Sequence, residues 1–190
     1  MLPESVKKFI NVFSSLPSIG PRQATRLAFH ITNLGKSQIH DLAQSMANLQ
    51  QLKTCSDCFF INNGVCPICS QINRSKNIVC VVEKETDLIS IEKAKKYNGT
   101  YLVLGELNKT GSLSPDQKLK LKSLKARSPL EEIILAINPT AYGDLNAALI
   151  LQEIKPFALK ITRLGRGIPT GGEIEFADAD TLAGAIDNRN

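Results

Sequence analysis

Two pairs of cysteines stand close together, Cys55-x-x-Cys58 and Cys66-x-x-Cys69, with seven residues between the pairs. Each Cys-x-x-Cys turn puts two sulfurs on one side of a tight bend, and two such bends close a tetrahedral shell of thiolates. Zinc suits a four-thiolate shell best, although iron fits the same geometry. A filled shell leaves no position for water or substrate, so the expectation is one structural zinc ion per chain. Gly64 permits a sharp reversal between the pairs, and Pro67 stiffens the second bend. A segment this short builds no core of its own, so metal binding should supply much of its folding free energy. The fifth cysteine, Cys80, lies in an apolar run and reads as a small core residue.

A second group is basic. Arg22 and Arg26 are four residues apart and share one face of a helix. They follow the turn Leu16-Pro17-Ser18-Ile19-Gly20-Pro21. Gly20 lets the backbone approach a phosphate, and the free amides that open the following helix bind it with help from the helix dipole. Contacts of this kind hold the sugar–phosphate backbone and read no bases.

A third group is acidic. Glu83 directly follows an apolar strand, where open parallel sheets place their sites. Metal-dependent nucleotidyl transfer needs two or three converging carboxylates. The next strand end supplies only Asp144 after Asn138-Pro139-Thr140-Ala141-Tyr142-Gly143. Asp178-Ala179-Asp180 lies in the tail and reads as a helix cap. The glycines of 165–172 lack the pattern of a nucleotide phosphate loop and serve turns. Lys118, Lys120, Lys122, Lys125 and Arg127 form a basic run, most simply a solvated helix face.

The elements that must position these groups follow from periodicity. Apolar residues at helical spacing predict helices over 4–15, 21–33 and 37–52. Pro17 stops the first, and Pro21 suits the first position of the second. Beyond the cysteine segment the pattern changes. The apolar run at 77–82 and the segments 100–104, 133–137 and 158–162 predict strands, and 87–97, 115–127 and 144–155 predict helices. Ser114-Pro115-Asp116-Gln117 is a capping box that opens one of them. Strands alternating with helices imply a mostly parallel four-stranded sheet, covered on both faces. The tail should add a short strand and a helix near 181–186.

The bulk numbers agree with this reading. A chain of 190 residues with 43% hydrophobic residues can build a core, and disorder is not expected. No apolar stretch reaches the roughly 18 residues that cross a bilayer, and the first residues lack the pattern of a signal peptide. A cytoplasmic protein without membrane contact is expected, in which disulfides are not. The net charge is +5, and residues 1–54 carry six Lys and Arg against two acids. The first quarter of the chain is therefore the natural nucleic-acid surface. With 5% aromatics and no Trp, base stacking is not the expected mode.

The ordered set of motifs resembles the RecR family of bacterial recombination mediators over nearly the whole chain. It is carried by the run from Leu16 to Phe29, the cysteine quartet, Cys80-Val-Val-Glu83, Asn138-Pro-Thr140 and Arg166-Gly-Ile-Pro-Thr-Gly-Gly-Glu173. The resemblance implies a helix-hairpin-helix DNA-binding region over 1–53 and a zinc finger over 54–73. It implies a Toprim domain over 77–172 and a C-terminal oligomerisation tail over 173–190. It further implies a non-enzymatic tetrameric DNA clamp, assembled through dimers, that works with RecO- and RecF-like proteins to load recombinase on gapped DNA. On this resemblance Gly20, Arg22 and Arg26 contact DNA, Glu83 is the Toprim acid, and Glu83 and Asp144 face partners. Two departures stand out. The family has a Glu after the Asn-Pro-Thr turn where this chain has Tyr142, and the loop between the cysteine pairs is one residue short. The rival reading is a Mg²⁺-dependent Toprim enzyme built on Glu83.

Overall fold

A computed structural model describes residues 2–189. The chain forms two compact units, 1–52 and 53–190.

The first unit is helical. α1 (Glu4–Phe13) and α2 (Pro21–Thr32) are joined by a tight turn. The buried residues are Val6 on α1 and Ala24 and Ala28 on α2. Two alanines four apart leave room for the close approach of the helices. Phe9 and Phe13 stack at 3.9 Å between ring centroids. α3 (Lys36–Leu49) follows and buries none of its residues, so Ile39, Leu42, Met46 and Leu49 stay exposed.

The second unit opens with a two-stranded antiparallel ribbon, β1 (Lys53–Thr54) and β2 (Ile61–Asn62), within the cysteine segment. The main sheet contains β3 (Ser75–Val82), β4 (Gly99–Val103), β5 (Leu130–Ala136) and β6 (Ala158–Arg163). All its pairings are parallel, in the order β4-β3-β5-β6. The helices are α4 (Glu85–Lys93), α5 (Pro115–Ser123), α6 (Ala141–Ile154) and α7 (Ala179–Asp187). A 3-10 turn over Leu124–Arg127 continues α5.

Val79, Val81, Leu102 and Ile133 are fully buried under α5 and α6, with Leu121, Leu124, Ile150 and Ile154. The opposite face buries Cys80, Val82, Tyr101 and Leu88. Burial on both faces explains why β3 and β4 read as continuous apolar runs.

Two expectations are corrected. α4 ends at Lys93, short of residue 97, because Lys95 takes a left-handed φ of 54°. Tyr97 then turns back to the sheet, and its hydroxyl donates to the Thr100 carbonyl at 2.7 Å. The tail forms a 3-10 turn over Ile174–Phe176 where a short strand was expected. Its terminal helix α7 is present, with the Asp178 carboxylate accepting the Thr181 N–H at 2.9 Å. No helix of the described residues is long and apolar enough to cross a membrane.

Candidate functional site

The cysteine segment brings four ligand atoms together. The sulfurs of Cys55, Cys58, Cys66 and Cys69 all lie within 4.8 Å of one another, and Cys58 and Cys66 are 3.5 Å apart. Four sulfurs at about 2.3 Å from a tetrahedral zinc ion stand roughly 3.8 Å apart, so the donor set fits a metal ion of this kind. Gly64 takes a φ of 106° at the reversal, with its N–H donated to Asn62 Oδ1 at 2.8 Å. Hydrogen bonds from neighbouring thiols, that of Cys58 first, pull Cys69 down to about 6. The hydrogen bond to Cys69, and then burial, pushes the Cys58 thiol up. One thiolate is thus favoured within the cluster, and a thiolate is the ligating form.

The segment is also fastened to the sheet. β4 is an edge strand, and the Val103 N–H donates to the Cys58 carbonyl at 2.9 Å. Cys58 and Ile68 are buried with Val82, Leu88 and Tyr101. The segment has no core of its own and borrows one from the α/β unit. Arg74, just beyond it, donates to Glu92 Oε1 at 2.9 Å and to the Gly99 carbonyl at 3.0 Å. Cys80 lies apart in the core, where burial pushes its thiol up to about 12.

In the helical unit, Gly20 is the N-cap of α2. Its own N–H donates to Gln23 Oε1 at 3.3 Å. A glycine has no side chain to accept the first helical amides, and Pro21 has no N–H. The amides of Arg22 and Gln23 therefore have no acceptor among the described residues. Arg22 and Arg26 are exposed beside them and form no ion pair among the described residues. Two guanidinium groups and two free amides make a surface for a phosphate.

At the carboxyl ends of the strands the acids do not converge. Glu83 is 5% exposed, and its Oε1 accepts the Leu107 N–H at 3.1 Å. Asp144 accepts from Arg163 at 2.7 Å and also from Arg166. The Arg163 hydrogen bond, before other causes, holds the Asp144 carboxyl below its ordinary range. Among the described residues only the four cysteines gather as a metal-ligating group. A cavity of about 690 Å³ opens here, with Asp87, Ser90, Asn138, Asp144, Arg163 and Arg166 in its wall.

Two further polar residues shape this end, and spacing did not single them out as functional. Buried Gln117 donates to the Glu106 carbonyl at 2.9 Å, and buried Asn146 donates to the Asn108 carbonyl at 2.8 Å. With Glu83 they fix the loop after β4. Gln117 was legible as a capping residue, and its Oε1 does accept the Ser114 N–H at 2.9 Å. Asn146 carries no sequence signal, because its partner is 38 residues away.

Comparison with known proteins gives three family matches. Residues 6–49 match the RecR helix-hairpin-helix, 77–165 a Toprim domain, and 167–190 the RecR C-terminal region. Two curated relatives are each named Recombination protein RecR, from Clostridium perfringens strain 13 / Type A and strain ATCC 13124. Each is 40% identical to this chain over 98% of its length and 96% of the relative's own.

Proposed function

The chain belongs to the RecR family of recombination proteins, and from that membership we propose that it is a non-enzymatic, oligomeric DNA clamp. In this reading it mediates recombinational repair in the bacterial cytoplasm with RecO- and RecF-like partners. The observation that carries DNA binding is the start of α2. There, the free amides of Arg22 and Gln23 lie beside two unpaired arginines and a glycine with open space above it. Such a site holds phosphates without reading sequence.

The finer assignments follow. Residues 1–53 bind DNA through Gly20, Arg22 and Arg26. Residues 54–73 hold one structural zinc ion through Cys55, Cys58, Cys66 and Cys69. Residues 77–172 supply partner contacts, and 173–190 supply subunit contacts. Glu83 acts on partners through the loop that it shapes, because its carboxylate is buried. Asp144 is more accessible, with 42% of its side chain exposed. The exposed apolar rows of α3 and of the tail, where Ile174, Phe176 and Ile186 face outward, support association of chains.

Substituting Arg22→Ala with Arg26→Ala tests the central assignment. Affinity for DNA should fall, and the slope of log affinity against log salt should shrink by about 2. Unchanged affinity would remove the hairpin from the DNA interface.

The Toprim match favours a second reading, a Mg²⁺-dependent nucleotidyl-transfer or DNA-cleaving enzyme. Against it, Glu83 is committed to Leu107 and Asp144 to two arginines. Turnover of labelled DNA with Mg²⁺, lost in Glu83→Gln, would establish it over the clamp.

A further inference from the structure

The basic run 118–127 divides into two kinds of residue. Two are used by the fold. Lys120 donates to the Leu104 carbonyl at 3.2 Å, pairs with Asp116 at 3.0 Å and sits 5.4 Å over the Phe59 ring. Arg127 donates to the Lys76 carbonyl at 2.7 Å and to Thr100 Oγ1. The other three, Lys118, Lys122 and Lys125, are exposed. They form no ion pair or side-chain hydrogen bond among the described residues.

Their placement is regular. Gln117, Leu121 and Leu124 form the buried stripe of α5 and the turn that continues it. Each free lysine follows a stripe residue by one position, so the three lie in a single row along one flank. From first to last the row spans roughly 11 Å at helical and 3-10 rises. No Asp or Glu occurs between Gln117 and Pro129. The one acid in the first turn, Asp116, is already taken by Lys120.

We propose that Lys118, Lys122 and Lys125 are a second phosphate-binding row, on the α/β unit, for the sugar–phosphate backbone of DNA. The proposal rests on the reading of this chain as a DNA-binding protein and adds a surface that the hairpin does not supply. Charge and shape favour this occupant. A DNA strand carries one charge per about 3.4 Å of axis, so a straight row of this length meets separate phosphates. Lysines are point charges on flexible stems, suited to a backbone that is held and not read. A lipid surface needs an apolar face to bury, and the outward side of α5 offers one large apolar residue, Leu119, at 69% exposure. A protein partner needs an anchored apolar centre, and lysine is depleted at such centres.

The test uses the full chain carrying Lys118→Gln, Lys122→Gln and Lys125→Gln, beside the Arg22→Ala, Arg26→Ala chain and the combination. Affinity for a duplex of arbitrary sequence is measured by fluorescence anisotropy over a salt series. The lysine variant should keep its unfolding midpoint, because none of the three side chains has a partner to lose. Its salt slope should shrink by about 2.7, at about 0.9 for each phosphate contact, and its loss should add to that of the arginine variant. A slope unchanged by the lysine substitutions, while the arginine substitutions reduce it, overturns the row and leaves the hairpin standing. A slope reduced by the lysine substitutions alone supports the row and removes the hairpin. If the slope is unchanged and binding to phosphatidylserine vesicles is lost instead, the row belongs to an anionic lipid surface and the proposal fails.

Discussion

A methyl group added at Gly20 would meet no atom within 4 Å, and the φ of −85° there suits any residue. Space and φ there admit other residues, and what favours glycine over alanine is its place as the N-cap of α2. Gly20→Ala should therefore cost up to about 1 kcal/mol of stability and, if the turn holds a phosphate as proposed, weaken DNA binding by more than that loss accounts for, read by thermal unfolding and anisotropy on the same preparation. Gly143 is the opposite case, since a Cβ there would stand 2.1 Å from the Asn138 carbonyl oxygen. Gly143→Ala should destabilise the second unit by about 1–3 kcal/mol, visible as a lower denaturation midpoint. The Arg74–Glu92 pair sets a third expectation. The Arg74 hydrogen bond, before other causes, holds the Glu92 carboxyl below its ordinary range. Its stabilisation is present above the unfolded value of about 4.3 and is lost as pH falls through the lower folded value. Glu92→Gln should cost about 2–3 kcal/mol at neutral pH, less than a fully buried pair because Glu92 is 27% exposed, and should flatten the acid limb of stability. Denaturation midpoints across the acid range would read both. The cysteine cluster, and the placement of Arg22 and Arg26 on an exposed stretch of α2, were legible because their signal is local spacing. Glu92 was not, because its partner lies 18 residues away and meets it only in the fold.

At the scale of elements, the cysteine segment and β4 act together. The sheet edge at Val103 is covered by the Cys58 carbonyl, so the cysteine cluster also caps the edge strand β4. Removing metal with a chelator, or substituting Cys58→Ser, should raise amide hydrogen exchange at Val103 ahead of the buried strands β3 and β5. Equal protection with and without metal would show that the segment holds the edge by packing alone. Strands β3 and β4 were legible because burial on both faces makes each an apolar run, as in Val79 to Val82, whereas the edge strand β6 buries none of its residues. The tail was less so. A short strand was expected there, yet Ile174 and Phe176 lie exposed in a 3-10 turn. α4 was overextended because apolar spacing continues through Tyr97, while the left-handed Lys95 ends the helix and sends Tyr97 to the sheet.

At the scale of the molecule, each unit carries apolar residues that a single chain leaves uncovered. Ile39, Leu42, Met46 and Leu49 form the open row of α3, and the tail exposes Ile174, Phe176 and Ile186. The α3 row was legible as an amphipathic face, but periodicity does not say whether a face meets its own chain or another. Family membership and these uncovered rows together support the proposed assembly of several chains on DNA. The mass of the zinc-loaded chain in solution, measured by sedimentation with and without gapped DNA, tests it most directly. A tetramer, with dimers on dilution, that persists on DNA is the expected result; a strict monomer at every concentration in both conditions would contradict assembly.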